Sequence, residues 1–232
     1  MLLDFLARFP ARALVLVGDV VDLRSIVNHG VRGMDGQLLM SLLAQLEKYE
    51  SVTYVVGNHD VLLESLVGST VRNMEIVQHL DFPLGNKRFL VIHGHQVDGV
   101  ARSHFPEWFV DLLYGIYYRS YRLEGLIRRW IPSFPPRSHL VNAMKLRSAR
   151  WRKYRTAYVR SLCRRASEHG YDGVICGHIH WPEIMHRDDG VLYNCGDWVE
   201  HSSALIVDAD DVLWQMIYDR HDGKVEVHSQ SG

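Results

Sequence analysis

Short apolar runs alternate with polar stretches along this chain, at the two spacings that separate helices from strands. Leu2, Leu3, Phe5, Leu6 and Phe9 recur at helical intervals up to Pro10, which predicts a helix over residues 1–9. Leu38, Leu39, Leu42, Leu43 and Leu46 do the same over 37–49. The longest helical pattern runs from Ala149 to His169 and is closed by Gly170 in the C-cap position. Between these lie compact apolar runs of strand length: 14–17, 52–56, 88–92, 174–176, 191–194, 203–207 and 212–218. Residues 73–77 read as a strand pairing with a sheet edge, and Gly85-Asn86 as the turn before 88–92. The order is that of an α/β protein. Residues 105–136 break the rhythm with a cluster of Trp, Tyr, Phe and Arg that ends in Pro132-Ser133-Phe134-Pro135-Pro136. They read as a helical lid inserted into one domain formed by 1–104 and 137–220, with 221–232 left as a polar tail.

Four of the strand runs end on side chains that bind metals. Leu14–Val17 leads to Gly18-Asp19-Val20-Val21-Asp22, and Val52–Val56 to Gly57-Asn58-His59-Asp60. Phe89–Ile92 leads to His93-Gly94-His95, and Val174–Cys176 to Gly177-His178-Ile179-His180. An α/β fold builds its site at the carboxyl ends of its strands, so these clusters are expected at one sheet edge. Asp19 offers two oxygens, enough to bridge two cations, and Asn58 a neutral carbonyl oxygen. His93, His178 and His180 offer ring nitrogens, and alternation along an extended segment would turn His178 and His180 to the same side. Such a mixed oxygen and nitrogen set suits Mn first, with Fe or Zn as alternatives. Two divalent ions about 3.5–4 Å apart clamp a phosphoryl group. His59 is placed to contact the phosphate or its leaving oxygen, and Asp60 or Asp22 to orient an imidazole. Any one of the four clusters alone is a common turn or a buried structural histidine. Their joint order, each after an apolar run, carries the metal reading.

Composition narrows the class. With 232 residues the chain has room for one domain and an insertion. The three cysteines, Cys163, Cys176 and Cys195, form no C-x-x-C pair, so neither a disulfide framework nor a zinc knuckle is indicated. No apolar run reaches the roughly 20 residues of a bilayer span, and the N-terminus lacks a signal peptide's features. The cytoplasm is the expected compartment, with a peripheral position on the inner membrane as a variant. The net charge of −1 hides segregation, because residues 102–165 hold 15 Lys/Arg against 3 Asp/Glu. That basic stretch suits a phosphate-rich ligand or an anionic membrane surface. Lys145, Arg152 and Lys153 are candidate phosphate contacts. Trp108 opens an apolar stripe (Phe109, Leu112, Leu113, Ile116, Tyr117) that would line an acyl pocket, lie in a membrane interface or simply pack on the core. Nucleic acid is not expected as the partner, since no helix-turn-helix, RNA-binding signature or zinc finger is present.

The order G-D-x-x-D, G-N-H-D, H, G-H-x-H resembles the calcineurin-like metallophosphoesterases over most of the chain. The resemblance implies a four-layer α/β/β/α sandwich and two divalent metal ions. Asp19 would bridge them, Asn58, His93 and His178 would complete one, and His180 would belong to the other. His59 would be the general acid or transition-state stabiliser, beside Asp60. The stretch 174–180, followed by Tyr193-Asn194-Cys195-Gly196-Asp197-Trp198-Val199-Glu200, is similar to the UDP-2,3-diacylglucosamine hydrolase branch. That implies cleavage of the pyrophosphate of an acylated, UDP-linked sugar. The best-known members of that branch carry Arg where this chain has His59, and many G-N-H-D members act on other phosphates. Alternatives are a phosphoesterase acting on another nucleotide or small phosphate, and an inactive scaffold of the same fold. The scaffold arises because the family's D-x-H strand is absent from its expected place before residue 1, with a misplaced start codon as the competing explanation. Asp219-Arg220-His221 is a chance match at the wrong end. The family often has H-G-D where this chain has His93-Gly94-His95, which leaves His95 either as an extra nitrogen or facing solvent.

Overall fold

Short, largely apolar strands set the frame. The computed structural model describes residues 1–21, 36–100, 147–219 and 225–229, together with Ile127 and Trp130. The chain divides into two compact units, Met1–Gln96 with Ser161–Gly232, and Val97–Arg160.

In the first unit, helix α1 (Leu2–Arg8) precedes β1 (Ala13–Val17). Helix α2 (Gly36–Leu46) precedes β2 (Ser51–Val55), and β3 (Thr70–Val71) and β4 (Met74–Val77) follow. β1 runs parallel to β2 and β2 to β4, giving a sheet in the order β1-β2-β4-β3. A second sheet has the order β5-β6-β7-β9-β8, formed by β5 (Leu80–Leu84), β6 (Lys87–Val91), β7 (Gly173–Cys176), β8 (Glu183–Arg187) and β9 (Gly190–Asn194). β6, β7 and β9 are parallel, and β5 and β8 are antiparallel edges. A third, antiparallel sheet joins β10 (Ser203–Val207), β11 (Leu213–Tyr218) and β12 (Val225–Ser229).

Alternation along each strand sorts the side chains into layers. Val15, Val17, Val55 and Val77 of the first sheet meet Phe89, Val91, Ile175 and Tyr193 of the second in one core. The other face of the first sheet, with Leu14, Leu16, Val52, Tyr54 and Ile76, meets α1 and α2 through Phe5, Leu6, Leu42 and Leu46. On the outer face of the second sheet Leu90, Ile92, Val174, Cys176 and Leu192 are buried, as are Leu162, Cys163 and Ala166 of helix α3 (Ala149–Glu168). This is the mixed α/β metallophosphoesterase sandwich expected from the sequence.

Three details differ from the sequence reading. Residues 225–229, expected within a polar tail, form β12 against β11. Helix α2 stops at Leu46, where Asn73 Nδ2 donates to the carbonyls of Leu46 and Tyr49 and caps the helix end from a distance. The edge strands β3, β5 and β8 were not anticipated. Of the expected lid, only Ile127 and Trp130 fall within the described residues, and both are helical.

The second unit is described mainly by the first half of α3. There Trp151, Tyr154 and Tyr158 form a ring-on-ring row with centroid spacings of 5.5 and 6.1 Å. Tyr154 Oη donates to Asp98 at 2.9 Å. Among the described residues no helix is long and apolar enough to cross a membrane.

Candidate metal centre

The carboxyl ends of β1, β2, β6 and β7 each deliver one part of the predicted set. Asp19, His93 and His178 offer ligand atoms that all lie within 4.8 Å of one another. Asn58 joins them, since its Oδ1 lies 3.2 Å from His93 Nε2. Asp19 Oδ2 is 3.1 Å from the same nitrogen.

Protonation decides what this convergence means. His93 Nδ1 faces the carbonyl oxygen of Val17 at 2.7 Å. A carbonyl only accepts, so Nδ1 carries the hydrogen and Nε2 is left to face two oxygens. Its remaining lone pair converges with those of Asp19 and Asn58 on one point, the arrangement that a metal ion takes. The imidazole is 2% exposed, fixed by its second nitrogen and bordered by a carboxylate and the His178 ring, whose centroid is 5.1 Å away. That is the pattern of an oriented metal-binding histidine, and the donor chemistry fits a divalent cation of the Mn, Fe or Zn type.

Asp19 is held from both sides. Its Oδ1 accepts the His59 N–H at 2.8 Å, which leaves Oδ2 for the site. Its own N–H donates to Asp60 Oδ2 at 2.5 Å, and that oxygen also takes the Gly57 N–H at 3.3 Å. Asp60, 0% exposed, thus clasps the two ligand loops through backbone amides instead of orienting an imidazole. Burial pushes the Asp60 carboxyl above its ordinary range, and the amide donors work against that. Burial also pushes Asp19 upward. The hydrogen bond and charge of His93, then the His59 contacts, outweigh it and bring Asp19 down to about 2.

Two glycines are required by close approach. A Cβ on Gly18 would collide with the His93 ring, and one on Gly57 with the Asp19 carboxylate. Gly18 also sits at φ 79°. Asp19, His178 and His180 themselves adopt φ of 55°, 67° and 51°, in the left-handed region that residues with a Cβ enter at a cost. Gly177–His180 is therefore not the extended segment expected. The Ile179 N–H turns back to the Gly177 carbonyl at 2.8 Å, and Ile179 is buried. His178 joins Asp19 and His93, whereas the charge of His180 helps to lower the pKa of Asp197.

Three supporting residues, Asn194, Gln215 and Asp197, were given no role in the sequence reading. Asn194, 0% exposed at the end of β9, donates from Nδ2 to the Gly177 carbonyl at 2.9 Å and accepts the Gly196 N–H at 2.9 Å. Gln215 of β11 in turn donates to the Asn194 carbonyl at 2.9 Å. Asp197 accepts from the backbone N–H groups of Val199, at 2.7 Å, and Glu200, and pairs with His201 Nδ1 at 2.8 Å. Burial raises its pKa, but His201, the charge of His180 and the Glu200 amide prevail and lower it to about 2. Asn194 and Asp197 stand in the 193–200 stretch that carries the branch resemblance, whereas nothing in the sequence marked Gln215.

His95 lies beside the centre, with ring centroids 5.5 Å from His93 and 6.3 Å from His178. His59 is half-buried next to Asp19. Arg152 and Lys153 are exposed on α3. Lys145, Trp108 and Asp22 lie outside the described residues.

A partly buried Asp/Asn/His set at the carboxyl edge of a two-sheet sandwich is the donor arrangement of a metal-binding protein. The profile of the calcineurin-like phosphoesterases matches residues 1–182, and the chain belongs to that family. Proteins of this family are metal-dependent phosphoesterases. Among curated proteins none matches the chain. Solved structures similar to it include a Vps29 variant from Entamoeba histolytica, at 13% identity and TM-score 0.47, covering 98% of this chain and 86% of that one. A novel archaeal phosphodiesterase is similar at 12% identity and TM-score 0.35, with 98% and 88% covered. A predicted phosphoesterase from Streptococcus pneumoniae is similar at 13% and 0.39, with the same coverage.

Proposed function

We propose that this chain hydrolyses a phosphodiester or pyrophosphate bond at the Asp19–Asn58–His93–His178 centre. Two divalent ions, with Mn as the first candidate, would serve it, and His180 would contribute to the second. A UDP-diacylglucosamine-like, lipid-linked nucleotide sugar is the proposed substrate, met in the cytoplasm or at the inner membrane surface. The observation that carries the proposal is the convergence of Asp19 Oδ2 and Asn58 Oδ1 on His93 Nε2, at 3.1 and 3.2 Å. The likeness of residues 174–180 and 193–200 to the UDP-2,3-diacylglucosamine hydrolase branch supports the substrate.

Divalent cations at such a centre neutralise phosphoryl oxygens and activate water. The protein's part is to hold the donors ready. The Val17 carbonyl sets the His93 tautomer, the His59 amide aims Asp19, and Asp60 locks the Gly18–Asp19 and Gly57 loops to each other. The His59 ring, next to Asp19, is the proposed donor to the departing oxygen. Arg152 and Lys153 on α3, with Lys145 and Trp108, are the proposed contacts for the rest of the substrate.

Hydrolysis of a chromogenic phosphodiester with added Mn²⁺, with bound metal measured in parallel, tests the reading. Metal-dependent turnover that falls to background in Asp19→Asn and His93→Ala is the expected result. Turnover by the wild type that both variants retain would overturn it. Metal bound at the centre without turnover of the chromogenic ester or the UDP-sugar would instead identify a binding scaffold.

A further inference from the structure

A second polar cavity lies on the outer side of the second sheet, away from the core the two sheets share. It measures about 190 Å³ and is lined by Gln78, His79, Gln96, Arg165, His169 and Tyr171. Leu90 and Ile92, two apart on β6 and both buried, also line it. The cavity opens where α3 ends. Gly170, at φ 76°, turns the chain away after Glu168.

The charge of this lining is one-sided. Arg165 and two imidazoles face it, with two side-chain amides, and among the described residues no carboxylate does. Asp81, which holds the hydroxyl of the lining Tyr171, and Glu168, next to His169, are both paired. Asp81 takes Arg88 at 3.4 Å and the Tyr171 hydroxyl, while Glu168 takes Arg164 at 3.4 Å. The end of a helix ordinarily repels anions, but here its carbonyls are covered. Ala166 O accepts from the His169 and Tyr171 amides, and Ser167 O from Gly170. Arg165 O takes His169 Nδ1 at 2.8 Å, which fixes that ring and leaves Nε2 as its second polar atom. A guanidinium, two imidazoles and amide donors without an acid suit an oxyanion and not a metal ion. The volume is below the roughly 300–1,000 Å³ of pockets that enclose drug-sized ligands, so the ligand is small.

We propose that this cavity is a phosphate site separate from the metal centre, taking free phosphate or the phosphate of a small monoester. Arg165 is its principal ligand, with His79 and His169 flanking it. The site does not depend on the hydrolytic reading, because none of its residues belongs to the metal set.

The test titrates the full chain, kept in chelator so that the metal centre contributes nothing, with inorganic phosphate and separately with glycerol phosphate. Calorimetry or phosphorus NMR reads the binding. The wild type and Asp19→Asn should bind alike, and Arg165→Gln and His169→Gln should each bind about tenfold more weakly or worse, the loss expected for one charged hydrogen bond. Tighter binding of the ester than of free phosphate would assign the site to an ester, and the reverse to phosphate itself. Arg165 and His169 are exposed, so their replacement leaves the fold intact, which circular dichroism checks. The proposal is overturned if the wild type binds neither anion up to about 10 mM, or if both variants bind as the wild type does.

Discussion

Single atoms decide the metal centre. The Gly57 Cα lies so near the Asp19 carboxylate that one methyl group there must displace a ligand. Gly57→Ala should therefore lose metal affinity while costing the fold about 1–3 kcal/mol, the usual range for overpacking. Metal content and urea denaturation of the purified variant give the two readings. Asn194→Ala should cost a similar ~1–3 kcal/mol, because the buried Gly177 carbonyl loses its donor. His178 stands on that turn, so metal binding should weaken as well. Asp197 sets a pH dependence. Its carboxyl titrates at about 2 in the fold against 3.8 unperturbed, so the fold favours the charged form. The resulting stability, on the order of 2 kcal/mol, is complete above about pH 4 and is lost as pH falls towards 2. Asp19 has the same window. In chelator, Asp197→Asn should therefore show a shallower loss of stability between pH 4 and 2 than the wild type, without becoming flat.

Elements differ in how openly the sequence announces them. β1, β2, β6 and β7 were legible because strands covered on both faces carry short, mostly apolar runs, and the ligand clusters at their ends were legible with them. β5 and β8 were not. Leu80-Asp81-Phe82-Pro83-Leu84 and Glu183-Ile184-Met185-His186-Arg187 are edges whose pairing is imposed by β6 and β9, and edges tolerate Pro and charge. The turn at Gly177–His180 was hidden for another reason. H-x-H reads as strand alternation, and with no Gly or Asn at 178 or 180 the left-handed turn was masked by that reading. Asp60 was expected, with Asp22 as the alternative, to orient an imidazole, whereas its hydrogen bonds take the backbone amides of Asp19 and Gly57. Helix α1 was plain from its period, and its anchor can be tested. Phe5 stacks among Phe9, Trp198 and Tyr218 at 4.7, 4.8 and 5.8 Å. Phe5→Ala should cost about 3–5 kcal/mol in chemical denaturation. Arg8 and Asp4, both bonded to the Tyr218 hydroxyl, cannot replace that contact.

For the whole molecule, the centre joins segments far apart in the chain, from Asp19 to His178. A cation bound there links β1, β2, β6 and β7, and the unfolded chain offers no such set. Binding must then raise global stability, by about 2.7 kcal/mol when free metal is a hundred times its dissociation constant. Thermal denaturation should shift upward with added Mn²⁺ or Zn²⁺ and return with chelator. Asp19→Asn should show no shift. An equal shift in that variant would place the stabilising ion elsewhere.

The left-handed backbone at His178 and His180 also shapes how this protein can change by descent. A lineage that no longer needed the ligands would be free to lose the imidazoles but not the turn, because Ile179 is buried behind it. Asn, Asp and Gly enter that conformation most readily, whereas Val, Ile and Thr are excluded by their branching. Descendants without catalysis should thus accumulate Asn, Asp or Gly at these two positions. A library randomised at 178 and 180 and selected only for soluble expression should recover the same three residues, with His, and shed the branched ones.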